Sequence, residues 1–371
     1  MPDDLMSRAR LQSQRLARGC ATPGEAVESL CALQAQDYAW GLWAVGARVA
    51  PESGLATQEA VEQAIAQGQI VRSWPMRRTL HLLAAADVHW MLKLLAGRAV
   101  EQAAGRRRQL GIEEGELARS RELWSAALQG GKRLTRSAML EMLEAGGLSP
   151  EGQRGYHLLV HHAQEGLLSL GPNEGKEQTY VLLDEWVPPA PPLDRDEALA
   201  TLARRYFAGH GPATAHDLAR WAYLPMGDVR KGLAAASADL ERTTHEGVEY
   251  WMAPGALDAA SESNVAEPPR VLLLAGFDEM VLGYKDRTAT ISAENEARIV
   301  PGGNGVFRPV LLVDGVVVAG WTRTLRRKGV TIDVEPFGDG AALLATHADA
   351  LEQAARRYGD FLGLPATVQV Q

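Results

Sequence analysis

Cysteine is almost missing from this chain. Only Cys20 and Cys31 occur in 371 residues. That is too few for a disulfide scaffold or a zinc site of their own, and it fits a reducing cytoplasm. No apolar run approaches the roughly 20 residues of a membrane helix. Met1 to Arg10 is polar and helical in pattern, with no apolar run behind it, so no signal peptide is expected. There is no phosphate-binding glycine loop, no His-Glu-x-x-His and no serine nucleophile elbow. His157 and His161 stand at i, i+4 spacing beside His162. No third ligand has a suitable spacing, so a helix surface is expected there and no metal.

What is present describes a soluble protein. Hydrophobic residues make up 46% and charged residues 23%, which places the chain among ordinary globular proteins. Its 371 residues predict about two or three domains. The net charge of -8, from 38 basic and 46 acidic residues, argues mildly against non-specific nucleic-acid binding. The basic residues nevertheless cluster, at Arg77-Arg78, at Arg106-Arg107-Arg108, and at Arg323 with Arg326-Arg327-Lys328. Three clusters together point to a phosphate-tracking surface.

Periodicity predicts helices at Asp4–Arg18, from Thr22 to Gln36 and at Thr57–Gln67, then two strands joined at Pro75-Met76. Three helices and a hairpin form the winged-helix pattern. A long helix capped by Asp87 follows. The same plan recurs at Leu117–Leu183 and Arg195–Met252, on either side of a stiff proline-rich linker from Val187 to Pro192. From Arg270 the texture turns to short apolar strands, with Asp314-Gly315 as a strong hairpin signal and a final helix at Ala341–Tyr358. The expected fold class is therefore α+β. Tandem winged-helix units should occupy residues 1–110, 111–187 and 194–258, and a small β-barrel-like C-terminal region 270–371.

The motif around which these elements are organised is Leu33-Gln34-Ala35-Gln36-Asp37. Thr22, Pro23 and Glu25 supply a helix start before it. Val27, Cys31 and Gln34 then share one helix face. On a continuing helix Gln36 would point about 200° from Gln34. On an extended or turning backbone both amides could reach one volume. The plainer alternative has Gln34 capping the helix end and Gln36 in solvent.

Several stretches resemble the AlkZ-type winged-helix DNA glycosylases. Gln34-Ala35-Gln36 is similar to their Gln-x-Gln signature, and Arg78-Thr79-Leu80-His81-Leu82 to their wing strand. Arg205-Tyr206, Gly211-Pro212-Ala213-Thr214 and Asp217 resemble their third-unit signature. Gly276-Phe277-Asp278-Glu279, Leu282-Gly283-Tyr284-Lys285-Asp286-Arg287, Phe307-Arg308-Pro309 and Gly320-Trp321-Thr322-Arg323 resemble their C-terminal block. Two positions depart from the pattern. Arg78 follows Arg77 where the family usually has Arg-Gly, which puts the shape of the wing in doubt, and Ala275 stands where a proline is common.

The resemblance implies a monofunctional glycosylase that excises alkylated purines, including bulky or cross-linking N7 adducts in some members. It implies Gln34 and Gln36 as the catalytic pair and no metal or organic cofactor. Glutamine does not titrate near neutrality, but its carbonyl can hold a water for attack and its dipole can stabilise a sugar cation. A cationic N7-alkylpurine leaves without a general acid. Asp37 is a candidate supporting base, or else a helix cap. Arg78, His81, Lys285, Arg287, Arg323, Arg326 and Arg327 are candidate DNA contacts, with His81 equally suited to a packed core. The expected partner is alkylation-damaged double-stranded DNA, bound by a cytoplasmic monomer with no membrane association. The competing readings are a non-catalytic winged-helix DNA-binding regulator and a protein that sequesters the free alkylating agent. The helix Thr57–Gln67 has no arginine or lysine, which counts against a base-reading role.

Overall fold

Pairs of residues with positive φ set three hairpin turns. Asp314 and Gly315 (48° and 87°) join the strands Val310–Val313 and Val316–Arg326. Glu246 and Gly247 (49° and 77°) join Glu241–His245 to Val248–Met252. Arg77 and Arg78 (53° and 56°) join Ile70–Met76 to Thr79–Ala84. All three have the sign pattern of a type I′ turn, whose twist matches that of the flanking strands. The hairpin expected as the first wing therefore turns at Arg77-Arg78 rather than Pro75-Met76. Pro75 and Met76 lie inside the strand, where the register shifts between Ser73 and Met76. A bulge tolerates a proline that an unbroken ladder would not.

The computed structural model describes residues 4–371 apart from 190, 263–269 and 304. Positions 1–3 of the expected first unit and position 190 of the expected linker thus lie outside the described residues. The chain is mixed α+β and divides into two units, Met1–Val61 with Leu199–Gln371, and Glu62–Ala198.

In the unit Glu62–Ala198, two hairpins share one sheet. The strand Ile70–Met76 pairs with Thr79–Ala84 on one side and Leu168–Leu170 on the other, and the ladder continues through Thr179–Leu182 to Leu134–Thr135. Helices Val88–Leu95 and Gly97–Gln109 replace the single long helix expected after Asp87, with the break at Ala96. Helices Glu114–Leu128, Arg136–Ala145 and Arg154–Gln164 follow. They bury Trp124, Met139, Leu143, Leu158 and Leu159 against Trp74, Leu80 and Leu168 of the strands.

In the other unit, the helix that starts at Pro23 ends at Ser29. Cys31 then takes φ 63° and Ala32–Gln34 is a strand. The helix expected to run to Gln36 thus stops at Ser29. A second helix, Tyr38–Gly46, was not anticipated; its apolar residues surround it, so no amphipathic stripe marks it. The C-terminal strands form a five-stranded sheet in the order Ala366–Val370, Gly329–Pro336, Val316–Arg326, Val310–Val313 and Val271–Leu274. The first and last of these are sheet edges, so among the described residues no barrel closes. The expected final helix is two helices, Gly340–Thr346 and Ala348–Leu362, followed by the parallel strand Ala366–Val370. Trp43 and Trp321 donate their indole N–H groups to the carbonyls of Leu273 and Leu274, both at 2.8 Å. They pack with Tyr358 and Phe361 into one aromatic cluster. Among the described residues no helix is long and apolar enough to cross a membrane.

Candidate active site

The strand Ala32–Gln34 places its last residue among buried polar groups of its own unit. The Gln34 main-chain N–H donates to Oε1 of Glu279 at 3.1 Å. Its side-chain oxygen accepts the main-chain N–H of Gln36 at 3.3 Å. Gln34 is only 7% exposed, whereas Gln36 and Asp37 are exposed. The extended backbone, not a helix face, determines this pair. Asp37 is committed locally. It is the N-cap of Tyr38–Gly46 and accepts the Trp40 N–H at 3.0 Å, so it caps the start of the next helix rather than the end of the previous one.

Behind the motif lies a buried polar chain. Asp278 receives both terminal nitrogens of Arg48 at 2.8 Å, with both side chains fully buried. Arg48 also donates to Gln14, Gln14 to the Tyr284 hydroxyl, and Tyr284 to the His210 carbonyl. Burial alone would lower the Arg48 pKa, but Asp278 holds it above its ordinary value. Glu279 is fully buried, and its Oε2 accepts the Trp221 indole N–H at 2.8 Å. None of Arg48, Trp221 or Gln14 was singled out in the sequence. Arg48 carries the clearest signal, a charge within the apolar run Ala44 to Ala50.

The segments that resembled the family's third-unit signature and C-terminal block meet here. Tyr206 donates to the Gly283 carbonyl at 2.9 Å, and Asp217 Oδ1 accepts the main-chain N–H groups of Lys285 and Asp286 at 2.7 and 3.0 Å.

The basic candidates differ in how free they are. The Arg323 guanidinium lies 3.9 Å from the Trp40 ring centroid and donates to the Tyr358 hydroxyl. Burial lowers its pKa, and the nearby Asp37 carboxylate partly offsets this. Arg323 thus reaches the helix that begins at Asp37. Arg287 is held by the Val281 carbonyl and Glu296, at 2.7 and 2.8 Å. Lys285, Arg326 and Arg327 are exposed, the last two at the end of the long hairpin where Arg326 pairs with Gly329.

In the unit Glu62–Ala198, Arg78 is exposed on its turn and His81 is fully buried. The two ring nitrogens of His81 face Thr79 O at 2.9 Å and Arg77 Nη2 at 3.1 Å. Contact with an arginine N–H makes that nitrogen the acceptor and the other the donor, a neutral packed histidine. The three histidines of Arg154–Gln164 are not all on a surface. His162 is buried, with Nε2 2.8 Å from the Ser120 hydroxyl. Among the described residues no group of three or more His, Cys, Asp or Glu is arranged to hold a metal ion.

A family model for AlkZ-like DNA glycosylases matches residues 27–361, a span that includes Gln34, Gln36, Arg48, Trp221, Asp278 and Glu279. The chain belongs to the AlkZ-like DNA glycosylases. The interstrand DNA cross-link repair glycosylase of Streptomyces sahachiroi is 28% identical over 330 residues, covering 84% of this chain and 85% of that protein. The solved structure of the Streptomyces sahachiroi DNA glycosylase AlkZ matches with a TM-score of 0.80 and 24% identity, covering 100% of both chains. That second likeness speaks for the fold.

Proposed function

We propose that this chain excises N7-alkylated purines from double-stranded DNA by hydrolysis of the N-glycosidic bond, and that Gln34 and Gln36 are its catalytic pair. The observation that carries the proposal is the asymmetry of the two amides. Gln34 is anchored through its main chain and its carbonyl oxygen, while Gln36 is exposed two residues on. One amide is preorganised and the other stands at the solvent-exposed surface.

The chemistry follows. The bond from C1′ to N9 of the cationic purine breaks, and its electron pair neutralises the base. The developing oxocarbenium ion is stabilised by amide dipoles. A water held by a glutamine carbonyl attacks C1′ and releases its proton to solvent. The products are the free alkylpurine, an abasic site and one proton. No lysine adjoins the glutamines in sequence, which supports a monofunctional hydrolase rather than a Schiff-base lyase. Arg323 stacked on Trp40, and Arg78, Lys285, Arg326 and Arg327 on exposed positions, supply phosphate contacts that orient the duplex. Arg287 and the buried His81 support those segments from inside. Tandem winged-helix units over residues 1–110, 111–187 and 194–258, ahead of a β-rich region at 270–371, are the architecture we assign to this task. The interstrand cross-link repair by the Streptomyces sahachiroi relative extends the proposed substrates to bulky and cross-linked N7 adducts, acted on by a monomer.

The test is incubation with duplex DNA carrying N7-methylguanine, followed by detection of free base and abasic sites. Tight binding without base release would instead identify a non-catalytic DNA-binding protein.

A further inference from the structure

We infer that Glu279 is a positioning residue for Gln34, with Trp221 fixing its carboxylate. The inference rests on the reading of Gln34 as catalytic. Taking a carboxylate out of water costs several kcal/mol. Glu279 is nevertheless 0% exposed, directly before the buried apolar run Met280-Val281-Leu282. Its neighbour Asp278 takes Arg48, and Glu279 has a different use. Oε1 accepts the Gln34 N–H at 3.1 Å, and Oε2 accepts the Trp221 indole N–H at 2.8 Å. His210 Nε2 lies 3.7 Å from Oε2 and its ring stacks on Tyr206. The packing around the carboxylate is close. A Cβ on Gly283 would stand 3.3 Å from Oε2 and 3.0 Å from the His210 ring.

The consequence is geometric. An acceptor held by an indole is aimed at the main-chain N–H of Gln34. The Gln36 N–H then closes on the Gln34 carbonyl at 3.3 Å. Two contacts, one on each side of Cα, thus hold the amide before substrate arrives, and misplacement of about 1 Å can cost 100-fold in rate. A glutamine at 279 would face two N–H donors with one oxygen, so it keeps at most one of the two bonds.

The experiment measures single-turnover excision of N7-methylguanine from duplex DNA, DNA affinity and thermal melting for Glu279→Gln, Trp221→Phe, Gln34→Ala and the double variant Gln34→Ala/Glu279→Gln. Glu279→Gln should lower the single-turnover rate constant by about 10- to 100-fold and leave DNA affinity within about twofold. In the Gln34→Ala background it should add less than about twofold, because neither change can act twice through one amide. Trp221→Phe should act the same way more weakly, by about 3- to 10-fold. A purely structural role would reduce the active fraction and the melting temperature while leaving the rate constant unchanged; that result overturns the inference. So does a full Glu279→Gln effect that persists in the Gln34→Ala background. If Glu279→Gln does not fold, a folded Trp221→Phe at the wild-type rate overturns it. Gln34→Ala at the wild-type rate would defeat the reading of Gln34 itself. An impaired Gln34→Ala beside an unimpaired Glu279→Gln would defeat only the role of Glu279.

Discussion

Arg48 and Asp278 are 230 positions apart, yet they form a two-pronged ion pair at 2.8 Å with both side chains fully buried. The pair ties the helix Tyr38–Gly46, which Arg48 follows, to the turn that starts Glu279–Leu282. Desolvation offsets much of the Coulomb gain, so the pair adds little net stability over a well-packed apolar pair. Loss of one partner is different. Asp278→Ala should destabilise the protein by about 3–5 kcal/mol by stranding a buried guanidinium, whereas the double change Arg48→Met/Asp278→Leu should cost much less. Urea denaturation midpoints decide this. Equal losses in the single and double variants would contradict it.

Acid should weaken the unit Glu62–Ala198 through two histidines. Burial, with help from Arg107 and Arg121, lowers His161 to about 4. Burial, then His161 and Arg121, lowers His162 to about 3. Both are neutral in the folded state at pH 7. In the unfolded chain they protonate near pH 6.5. Between pH 6.5 and about 4 the unfolded state therefore binds more protons, and stability must fall as pH falls. At pH 5 unfolding should take up close to two protons from this pair, whereas near pH 8 it should take up none. His162→Gln should flatten the acid limb of a melting-temperature profile, and an unchanged limb would exclude His162 as its source.

The amide mechanism and a carboxylate mechanism diverge at Asp37. Asp37 accepts the Trp40 N–H as a helix cap, a function that asparagine retains. Asp37→Asn should therefore leave excision near wild type, and Asp37→Ala should cost about 0.5–2 kcal/mol of stability. Gln36→Ala should lower the excision rate by about 10- to 1000-fold. Neither amide titrates near neutrality, so the single-turnover rate should be flat from pH 6 to 8. If Asp37→Asn abolished excision while both glutamine variants stayed active, the carboxylate would be the catalyst.

Local signals in the sequence located what local chemistry builds. Thr22 caps its helix by accepting the Glu25 N–H, and Asp314-Gly315 makes its turn. The helix over Tyr38–Gly46 was invisible because Trp40, Leu42, Trp43 and Val45 leave no polar face to set a period. Cys31 stops a helix at φ 63°, a conformation that non-glycine residues adopt rarely, so the strand before Gln34 gave no warning. The strand Ala366–Val370 exists only through its parallel pairing with Gly329–Pro336. Glu279 presented only as an acid in a family-like block. Its relation to Gln34 spans 245 positions, and such a contact leaves no local spacing to read.

The exposed run at the end of the long hairpin tests the electrostatic side. Arg326→Ala/Arg327→Ala should weaken binding to all DNA sequences alike. It should also reduce the slope of log affinity against log salt by up to about 2. An unchanged slope would remove this run from the interface.

Arg78 sets stability against binding at one position. It sits at φ 56° in the second place of a two-residue turn whose first residue, Arg77, is at φ 53°. For a side-chain-bearing residue that conformation costs about 1–2 kcal/mol, and glycine adopts it freely. The AlkZ-like pattern of Arg-Gly at this turn is the unstrained solution, and this chain places a second guanidinium there instead. Glycine has more freedom to lose on folding, so Arg78→Gly should yield a net stabilisation of about 0.5–1 kcal/mol. If the strain is retained for phosphate contact, the same change should weaken DNA binding and reduce its salt slope by about 1. Melting temperature and affinity at several salt concentrations read the two arms separately. A gain in stability with unchanged affinity would leave Arg78 as strain without a role in binding. A loss of stability would show that the turn depends on the arginine side chain itself.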